Sequence, residues 1–263
     1  MKIKVKTPAK INLSLGVGPL REDGFHDIES LMQSVSLFDY LTIELRCDKI
    51  ILEGTSSEIP YDESNIAFRA AKLFFETLGK DYGAKIHIEK NIPVCAGLAG
   101  GSTNAAGVLW GLNKILDEPL ATHDLHKMCT KLGSDVNFCL IGGRAHCFGR
   151  GENVIPLPFE EFPLTIIKPK NLTITAKEAY AKFDELNKSG RGTSNLPNDL
   201  EFALIQYYRE LKSLHELGFQ MSGSGPSFFI MQDKLPEGLI KTPKNYDIFE
   251  GLTSVPCGVC ESD

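Results

Sequence analysis

The stretch Pro93-Val-Cys-Ala-Gly-Leu-Ala-Gly-Gly-Ser-Thr-Asn-Ala-Ala106 is a glycine-rich turn that runs directly into a segment with apolar residues at helical spacing. Its glycines, at 97, 100 and 101, permit positive φ and close approach of a ligand to the backbone. We expect Ser102 or Thr103 to cap the following helix. Such a junction directs backbone N–H groups and the positive end of a helix dipole at one point, which suits an anion. These residues alone fit a capped turn and a phosphate-binding loop equally well.

The loop lacks the patterns of the two commonest nucleotide-binding loops. No Lys-Ser or Lys-Thr pair follows the glycines, so it is not a Walker A sequence, and Ala99 interrupts the spacing Gly-x-Gly-x-x-Gly. A nucleotide bound here would therefore need a different family of loop.

The composition is that of an ordinary globular protein. The 263 residues, 42% hydrophobic and 24% charged, are enough for one large domain or two small ones. A net charge of −6 argues against a general nucleic-acid partner and favours solubility. No apolar run is long enough for a membrane span, and the N-terminus lacks the apolar run of a signal peptide. We expect neither a nucleic-acid nor a membrane partner.

The cysteines indicate a reducing compartment. Their number, 7, is odd, and Cys129, Cys139 and Cys147 lie in apolar segments, as buried free thiols do. We therefore expect a cytoplasmic protein. The Cys257-Gly-Val-Cys260 motif has no matching second pair and lacks the surroundings of a redox motif, so it predicts neither a zinc site nor a redox site.

Strand and helix patterns alternate along the chain and predict an α+β fold with two lobes. Strands are predicted at 1–6, 34–45, 84–90, 164–167 and 228–230. The first predicted helix spans 65–78 and is closed by Gly79, the second follows the glycine loop, and the third spans 123–132. Another follows the capping box at Thr175, and a further one spans 198–217. A proline cluster near residue 158 places the boundary between an N-terminal domain, 1–158, and a smaller α/β domain, 159–263.

Lys10, in the segment Thr7-Pro-Ala-Lys-Ile-Asn12, is the first candidate for chemistry outside the loop. A lysine beside a proline-broken strand is commonly a solvated charge on a sheet edge. A compact cation can also neutralise phosphate charge during phosphoryl transfer or hold an acceptor hydroxyl. The segment alone favours the first interpretation.

Asp135 and a second small-residue loop are the other candidates. Asp135 follows Gly-Ser at the start of an apolar helix, where an aspartate is usually an N-cap, although it could act as a general base beside a lysine. The loop Ser222-Gly-Ser-Gly-Pro226 is by itself a turn, but it could close over an anion held by the glycine loop.

Three motifs taken together are far more specific than any one alone. Pro-Ala-Lys-Ile-Asn near the N-terminus, the mid-chain Pro-x-x-x-Gly-Leu-x-Gly-Gly-Ser and the late Ser-Gly-Ser-Gly resemble the galactokinase, homoserine, mevalonate and phosphomevalonate kinase superfamily, the GHMP kinases. Two further segments, 21–26 and 197–200, resemble the branch of that superfamily whose acceptor carries a cytidine diphosphate. The similarity spans nearly the whole chain.

The resemblance implies a two-lobed kinase that uses ATP and Mg²⁺ to phosphorylate the 2-hydroxyl of a cytidine diphosphate sugar alcohol in isoprenoid precursor biosynthesis. Lys10 and Asp135 match the catalytic pair: Asp135 takes the hydroxyl proton and Lys10 stabilises the developing charge. Ser102 is a contact for metal or phosphate, and the metal ligands are otherwise unknown. ATP would contact the loop residues Pro93, Val94, Cys95, Ala96, Gly97, Leu98, Ala99, Gly100, Gly101, Ser102 and Thr103.

The resemblance also implies an acceptor site. His26 matches the residue that reads the cytosine edge, and Phe25 is the stacking platform beside it. The family usually has tyrosine at position 25, so stacking is kept and a phenol hydrogen bond is lost. The remaining substrate contacts are Asn12, Ser222, Gly223, Ser224 and Gly225. We expect a monomer or a homodimer.

Two alternatives remain open at this point. One is another kinase of the superfamily, acting on homoserine or a mevalonate-type acid, which the Asp-Gly-Phe-His segment disfavours because such acceptors have no pyrimidine. The other is a sensor that keeps the fold without catalysis, which the presence of both Lys10 and Asp135 disfavours.

Overall fold

Two β-sheets flanked by helices form the chain, whose computed structural model describes residues 1–46, 48–188 and 195–262. The strands are β1 (Lys2–Leu20), β2 (His26–Arg46), β3 (Ile51–Gly54), β4 (Gly83–Glu89), β5 (Arg144–Gly149), β6 (Asn153–Leu157), β7 (Pro163–Pro169), β8 (Gln220–Met221), β9 (Phe228–Ile230), β10 (Tyr246–Thr253) and β11 (Cys260–Glu261). The helices are α1 (Ile66–Leu78), α2 (Gly100–Ile115), α3 (Thr122–Leu132), α4 (Val136–Ile141), α5 (Ala176–Lys188), α6 (Asp199–Leu204) and α7 (Arg209–Glu216). The predicted α+β fold is confirmed.

The first sheet is built on the long antiparallel hairpin of β1 and β2. Its strand order is β11-β1-β2-β4-β3, and β5 pairs with the first half of β2 and with β6. The first part of β2 pairs with β5 and its last part pairs with β4, so this single strand connects the two parts of the sheet. Register shifts interrupt the hairpin between Pro8 and Ala9 and between Asn12 and Ser14. Lys10 lies between these two irregularities, where side-chain direction departs from simple alternation.

Helix α2 lies closer to the first sheet than ordinary side chains allow. A Cβ on Gly107 would lie 2.5 Å from Thr7 Cγ2, and one on Gly111 would lie 2.6 Å from Ile43 Cδ1. These glycines are four residues apart and share one helix face. Their missing side chains let the helix sink onto β1 and β2, which fixes its N-terminus against the sheet.

The second sheet has the order β10-β7-β9-β8. The predicted strands in this part of the chain are confirmed, and the side chain of Asn198 caps α6. Strand β11 returns to the first sheet and pairs with β1, so the last residues lie beside the first. The division at residue 158 stays a prediction.

Two expectations about the helices are wrong. The helix predicted over 198–217 is two helices, α6 and α7, because the chain turns extended at Tyr208, whose hydroxyl donates to Glu178 on α5. Helix α2 begins at Gly100 with Ala99 at the N-cap, so neither Ser102 nor Thr103 caps it. Within the described ranges, no helix is long and apolar enough to span a membrane.

Candidate active site

The N-terminus of α2 is open to a ligand. Its N-cap residue, Ala99, is left-handed (φ 57°), and no side chain in the described chain caps the helix. The first intrahelical bond of this turn runs from Thr103 N–H to Ala99 O, at 2.9 Å, so the amides of Gly100, Gly101 and Ser102 precede the ladder. Three backbone donors and the positive end of the helix dipole therefore face the same point.

The positive φ angles of this loop are not where the glycines predict them. Gly97 is left-handed as expected (φ 74°), but Gly100 and Gly101 are helical, while Cys95 (φ 50°) and Ala99 take left-handed backbone. Such conformations cost free energy for residues with a Cβ and persist where the surrounding structure imposes them. The loop is thus held in one shape.

A buried ion pair supports the loop from behind. Lys90 Nζ lies 2.8 Å from Asp39 Oδ2, and both side chains are nearly inaccessible. Asp39 Oδ1 accepts from the backbone N–H groups of Asn91 and Ile92, each at 2.7 Å. Burial lowers the pKa of Lys90, and the Asp39 carboxylate opposes that shift. A Cβ on Gly100 would lie 2.8 Å from Lys90 Nζ, which explains the glycine there.

Lys10 and Asp135 meet in space. Lys10 is 4% exposed, so it is not a solvated edge charge, and its Nζ lies 3.5 Å from Asp135 Oδ2. Lys10 Nζ also donates to Asn12 Oδ1, and its backbone N–H donates to Leu98 O at 3.1 Å, which ties it to the glycine loop. The pair joins a buried cation to a carboxylate that is still 28% exposed.

Asp135 occupies the N-cap position of α4 without capping it. Its backbone is helical (φ −81°, ψ −8°), and no capping hydrogen bond from its side chain is present in the described structure. The carboxylate is therefore left free to face Lys10. An anionic group so placed can accept a proton from a hydroxyl that enters beside the lysine.

The loop at 222–225 closes the site on the Lys10 side. A Cβ on Gly223 would lie 3.0 Å from Asn12 Oδ1 and 3.1 Å from Lys10 Nζ. Ser222 Oγ donates to Gly97 O at 3.1 Å and accepts from Asn12 N–H at 3.3 Å. The structure thus brings three of the sequence motifs into direct contact.

Asn198 is a positioning residue that the sequence reasoning missed. Its side-chain amide donates to Met221 O and Gly223 O, each at 2.9 Å, while its oxygen caps α6. Glu201 adds a hydrogen bond from Met221 N–H at 2.9 Å. Asn198 lies in the segment 197–200, whose sequence resembles the cytidyl branch but assigns no role to this residue. Its contact with Gly223 O shows that it positions the 222–225 loop.

His26 lies in an aromatic pocket between β2 and α5. Its Nδ1 donates to Gly18 O at 2.9 Å, and its ring stacks on Tyr180 with centroids 5.4 Å apart and meets Phe183 edge-on at 6.0 Å. Its buried Nε2 lies 3.2 Å from Asp184 Oδ1 but has no partner in hydrogen-bond geometry among the described residues. With Nδ1–H engaged, a neutral ring presents Nε2 as an acceptor.

Phe25 lies outside this pocket, on the surface. It is 51% exposed, and the guanidinium of Arg150 lies 5.0 Å from its ring centroid. Arg150 belongs to the loop that also contains Gly151, where a Cβ would lie 3.8 Å from Asp135 Oδ1. This loop therefore runs from the Asp135 carboxylate to the aromatic ring beside His26.

Tyr180 and Arg150 are further residues of the site that the sequence did not reveal. Burial raises the pKa of the Tyr180 phenol, which stays neutral at physiological pH. Its helix, α5, has the apolar stripe of any packed helix, so no local pattern separates Tyr180 from core residues. Only its stacking contact with His26, which is distant in sequence, places Tyr180 in the site.

The remaining residues of the predicted loop differ in accessibility. Cys95 and Gly101 are exposed, whereas Ala96, Leu98, Gly100 and Thr103 are buried. The Thr103 hydroxyl faces the thiol of Cys139 behind the loop. Ser102 is half-buried in the first turn of α2. Backbone groups, rather than side chains, therefore dominate the surface that this loop offers.

Comparison with known proteins agrees with this geometry. Residues 65–143 match the GHMP kinases N terminal domain family. The fold and site thus define a GHMP kinase, an ATP-dependent small-molecule kinase. A solved homoserine kinase from Cytophaga hutchinsonii, 19% identical, has the same fold with a TM-score of 0.69 over 99% of this chain and 97% of that one.

Relatives with higher sequence identity to this chain identify the family within the GHMP kinases. The 4-diphosphocytidyl-2-C-methyl-D-erythritol kinase of Clostridium tetani is 39% identical over 86% of this chain and 90% of its own length. A crystal structure of 4-(cytidine 5'-diphospho)-2C-methyl-D-erythritol kinase, 29% identical, superposes with a TM-score of 0.76 over 97% of this chain and 100% of that one. The chain belongs to the 4-diphosphocytidyl-2-C-methyl-D-erythritol kinase family.

Proposed function

We propose that the chain transfers the γ-phosphate of ATP to the 2-hydroxyl of 4-diphosphocytidyl-2-C-methyl-D-erythritol, giving the 2-phosphate and ADP in non-mevalonate isoprenoid precursor biosynthesis. The observation that carries the chemistry is the contact between Lys10 and Asp135, whose side chain makes no capping bond in the part of the chain that the structure describes. Membership of the family supports the choice of acceptor.

Asp135 is the general base and Lys10 the electrostatic partner. The Asp135 carboxylate takes the proton of the 2-hydroxyl as the hydroxyl oxygen attacks phosphorus. The Lys10 ammonium, whose Nζ lies 3.5 Å from Asp135 Oδ2, stabilises the negative charge that develops on that oxygen and on the phosphate. Asn12 and the 222–225 loop hold Lys10 in place from the opposite side.

The glycine loop holds the phosphates of ATP. The open amides of Gly100, Gly101 and Ser102 are donors for phosphate oxygens, and the dipole of α2 adds to the attraction. Mg²⁺ would neutralise phosphate charge, and the half-buried Ser102 hydroxyl is an oxygen ligand of the kind that the ion takes alongside phosphates and water.

The acceptor lies between the His26 pocket and Asp135. His26, which the resemblance assigns to the cytosine edge, and Tyr180, which stacks on it, border the site for the base. Phe25 bounds this site on the solvent side, and Arg150, above its ring, offers a positive charge to the diphosphate that joins the base to the methylerythritol.

The decisive assay measures ADP release with different acceptors. We expect release to depend on 4-diphosphocytidyl-2-C-methyl-D-erythritol and phosphorus NMR to locate the new phosphate on the 2-oxygen. Release driven instead by homoserine or mevalonate would identify a different acceptor, and no release with any of the three would indicate a binding protein. CDP alone, which lacks the sugar alcohol, is the control.

The same proposal covers the surroundings of the enzyme. We place it in the cytoplasm, as a monomer or homodimer without a nucleic-acid partner; the net charge of −6 and the buried thiols Cys129, Cys139 and Cys147 support this setting. Size-exclusion chromatography with light scattering measures the oligomeric state.

A further inference from the structure

The turn Cys257-Gly-Val-Cys260 takes no part in the kinase site, yet it caps helix α4. Gly258 N–H donates to Ile141 O at 3.0 Å, and Val259 N–H donates to Cys139 O at 3.3 Å. Both carbonyls belong to the last turn of α4, where helix C=O groups lack intrahelical partners. The helix that begins after Asp135 is therefore closed by the two residues between the cysteines.

The turn is held on two sides. A Cβ on Gly258 would lie 2.4 Å from Cys139 O, so its backbone packs directly on the helix end. On the other side, Cys260 pairs with Lys6 of β1, and Ser262 N–H donates to Lys4 O at 3.0 Å. Because the backbone is anchored at both ends of the turn, the two cysteine side chains share a fixed frame.

The two thiols lie close to one another at the surface. Their Sγ atoms are 3.9 Å apart, Cys257 is exposed and Cys260 is half-buried. We propose that Cys257 and Cys260 form a reversible dithiol–disulfide site that low-molecular-weight disulfides close, placing the bond across the turn that caps α4. Cys129, Cys139 and Cys147, by contrast, are buried.

The reaction is a two-step thiol–disulfide exchange. The Cys257 thiolate attacks one sulfur of the external disulfide, forming a mixed disulfide and releasing one small thiol. Cys260 then loses its proton and attacks Cys257 Sγ, which releases the second small thiol. The two cysteines are oxidised by two electrons and the external disulfide is reduced by two, so a small dithiol reverses the reaction.

The order of attack follows from the surroundings of the two sulfurs. Burial, and then the neighbouring Cys257 thiol, raise the pKa of Cys260 to about 11, while the Lys6 ammonium on β1 acts in the opposite direction. Only thiolates attack, so the exposed Cys257 reacts first and Cys260 resolves the mixed disulfide. The second step becomes faster as the pH rises, because Cys260 must lose its proton before it attacks.

The site is tested by treating the whole protein with oxidised glutathione, trapping free thiols with N-ethylmaleimide and mapping the peptides by mass spectrometry. We expect one intramolecular bond between Cys257 and Cys260 in the wild type, and a glutathione adduct on Cys257 that persists in Cys260→Ser. A glutathione adduct that stays on Cys257 in the wild type and forms no bond to Cys260 would overturn the proposal. So would labelling of both thiols by N-ethylmaleimide, which would show that both are still free after oxidation.

Hydrogen exchange tests the effect on α4. Amides of 139–143 and 257–262 should exchange about tenfold more slowly in the oxidised form, the order expected when a four-residue loop is cross-linked. Cys257→Ser treated in the same way should show no slowing. Equal exchange in the two forms of the wild type would contradict a bond across the helix cap.

Discussion

Lys10 Nζ lies 3.5 Å from Asp135 Oδ2, although the two residues belong to different elements, a strand of the first sheet and the start of α4. The carboxylate makes no capping bond in the described structure. It faces the ammonium of Lys10, a group of opposite charge. This relationship turns an ordinary helix start into a base positioned beside a cation.

Cys95 is a natural reporter of ATP binding. It is exposed in the glycine loop, so iodoacetamide should alkylate it, and ATP should slow that reaction markedly by covering the loop. Cys257, exposed far along the chain, serves as the internal control. Burial raises the pKa of Cys129 and Cys147 to about 12, so both thiols stay protonated and unreactive at pH 8. Mass spectrometry of the peptides measures each site, and equal alkylation of Cys95 with and without ATP would count against the loop.

Arg150→Gln should weaken acceptor binding selectively. Losing a charge-assisted hydrogen bond to the diphosphate should raise the KM for the cytidyl acceptor about 10–100-fold and leave the KM for ATP nearly unchanged. Arg21→Gln is the matched control, because Arg21 is paired closely with Asp27 at 2.8 Å and Asp23 at 3.3 Å, whereas the Arg150 contact with Glu152 is longer, at 3.8 Å. As inhibitors, CDP should lose affinity in Arg150→Gln while cytidine does not. A parallel loss for both would show that Arg150 does not contact the diphosphate.

Lys90→Met should destabilise the fold by about 3–5 kcal/mol, because it leaves the fully buried Asp39 carboxylate without its cation. Urea unfolding measures the loss. Lys85→Met, on the strand β4 that precedes Lys90, removes an exposed pair with Glu53 and should cost less than about 1 kcal/mol. Adding Asp39→Asn to Lys90→Met should cost less than the sum of the two single changes; strict additivity would mean that the two charges are not coupled.

Glu201 should make stability fall as the pH rises above its ordinary pKa. Burial raises the pKa of Glu201 above 4.5, opposed by bonds from Met221 N–H and His215. Between the unfolded and folded pKa values the native state holds a proton that the unfolded chain has lost, so the free energy of unfolding decreases with pH across that window. In Glu201→Gln this decrease should be absent. Urea unfolding from pH 4 to 8 measures it, and a constant difference between the two proteins would refute the assignment.

The sequence predicted the fold class and most elements, because amphipathic periodicity and caps such as Gly79 are local signals. It could not distinguish Lys10 from an edge charge or Asp135 from a cap, since only burial and a contact across the fold separate those interpretations. The resemblance to GHMP kinases selected both residues before any contact was known. Tyr180 stayed hidden, because a stacking contact between β2 and α5 leaves no trace in either segment.

The local errors have the same physical origin. The helix over 198–217 breaks because Tyr208 reaches Glu178 on another helix, a tertiary contact that overrides helical spacing. The start of α2 differs from the expected serine cap because Ala99 takes left-handed backbone, which sequence alone disfavours. That departure leaves the helix end uncapped by side chains and thereby open to phosphate.

The most direct test of the account is acceptor-dependent ADP formation by Asp135→Asn. The variant keeps the size of the side chain but cannot take a proton, so kcat should fall about 10²–10⁴-fold while ATP binding, followed by calorimetry, and the unfolding curve stay close to those of the wild type. Asp124→Asn, on the surface of α3, should keep full activity. Turnover of Asp135→Asn within a few fold of the wild type would contradict the claim that Asp135, beside Lys10, is the base of this kinase.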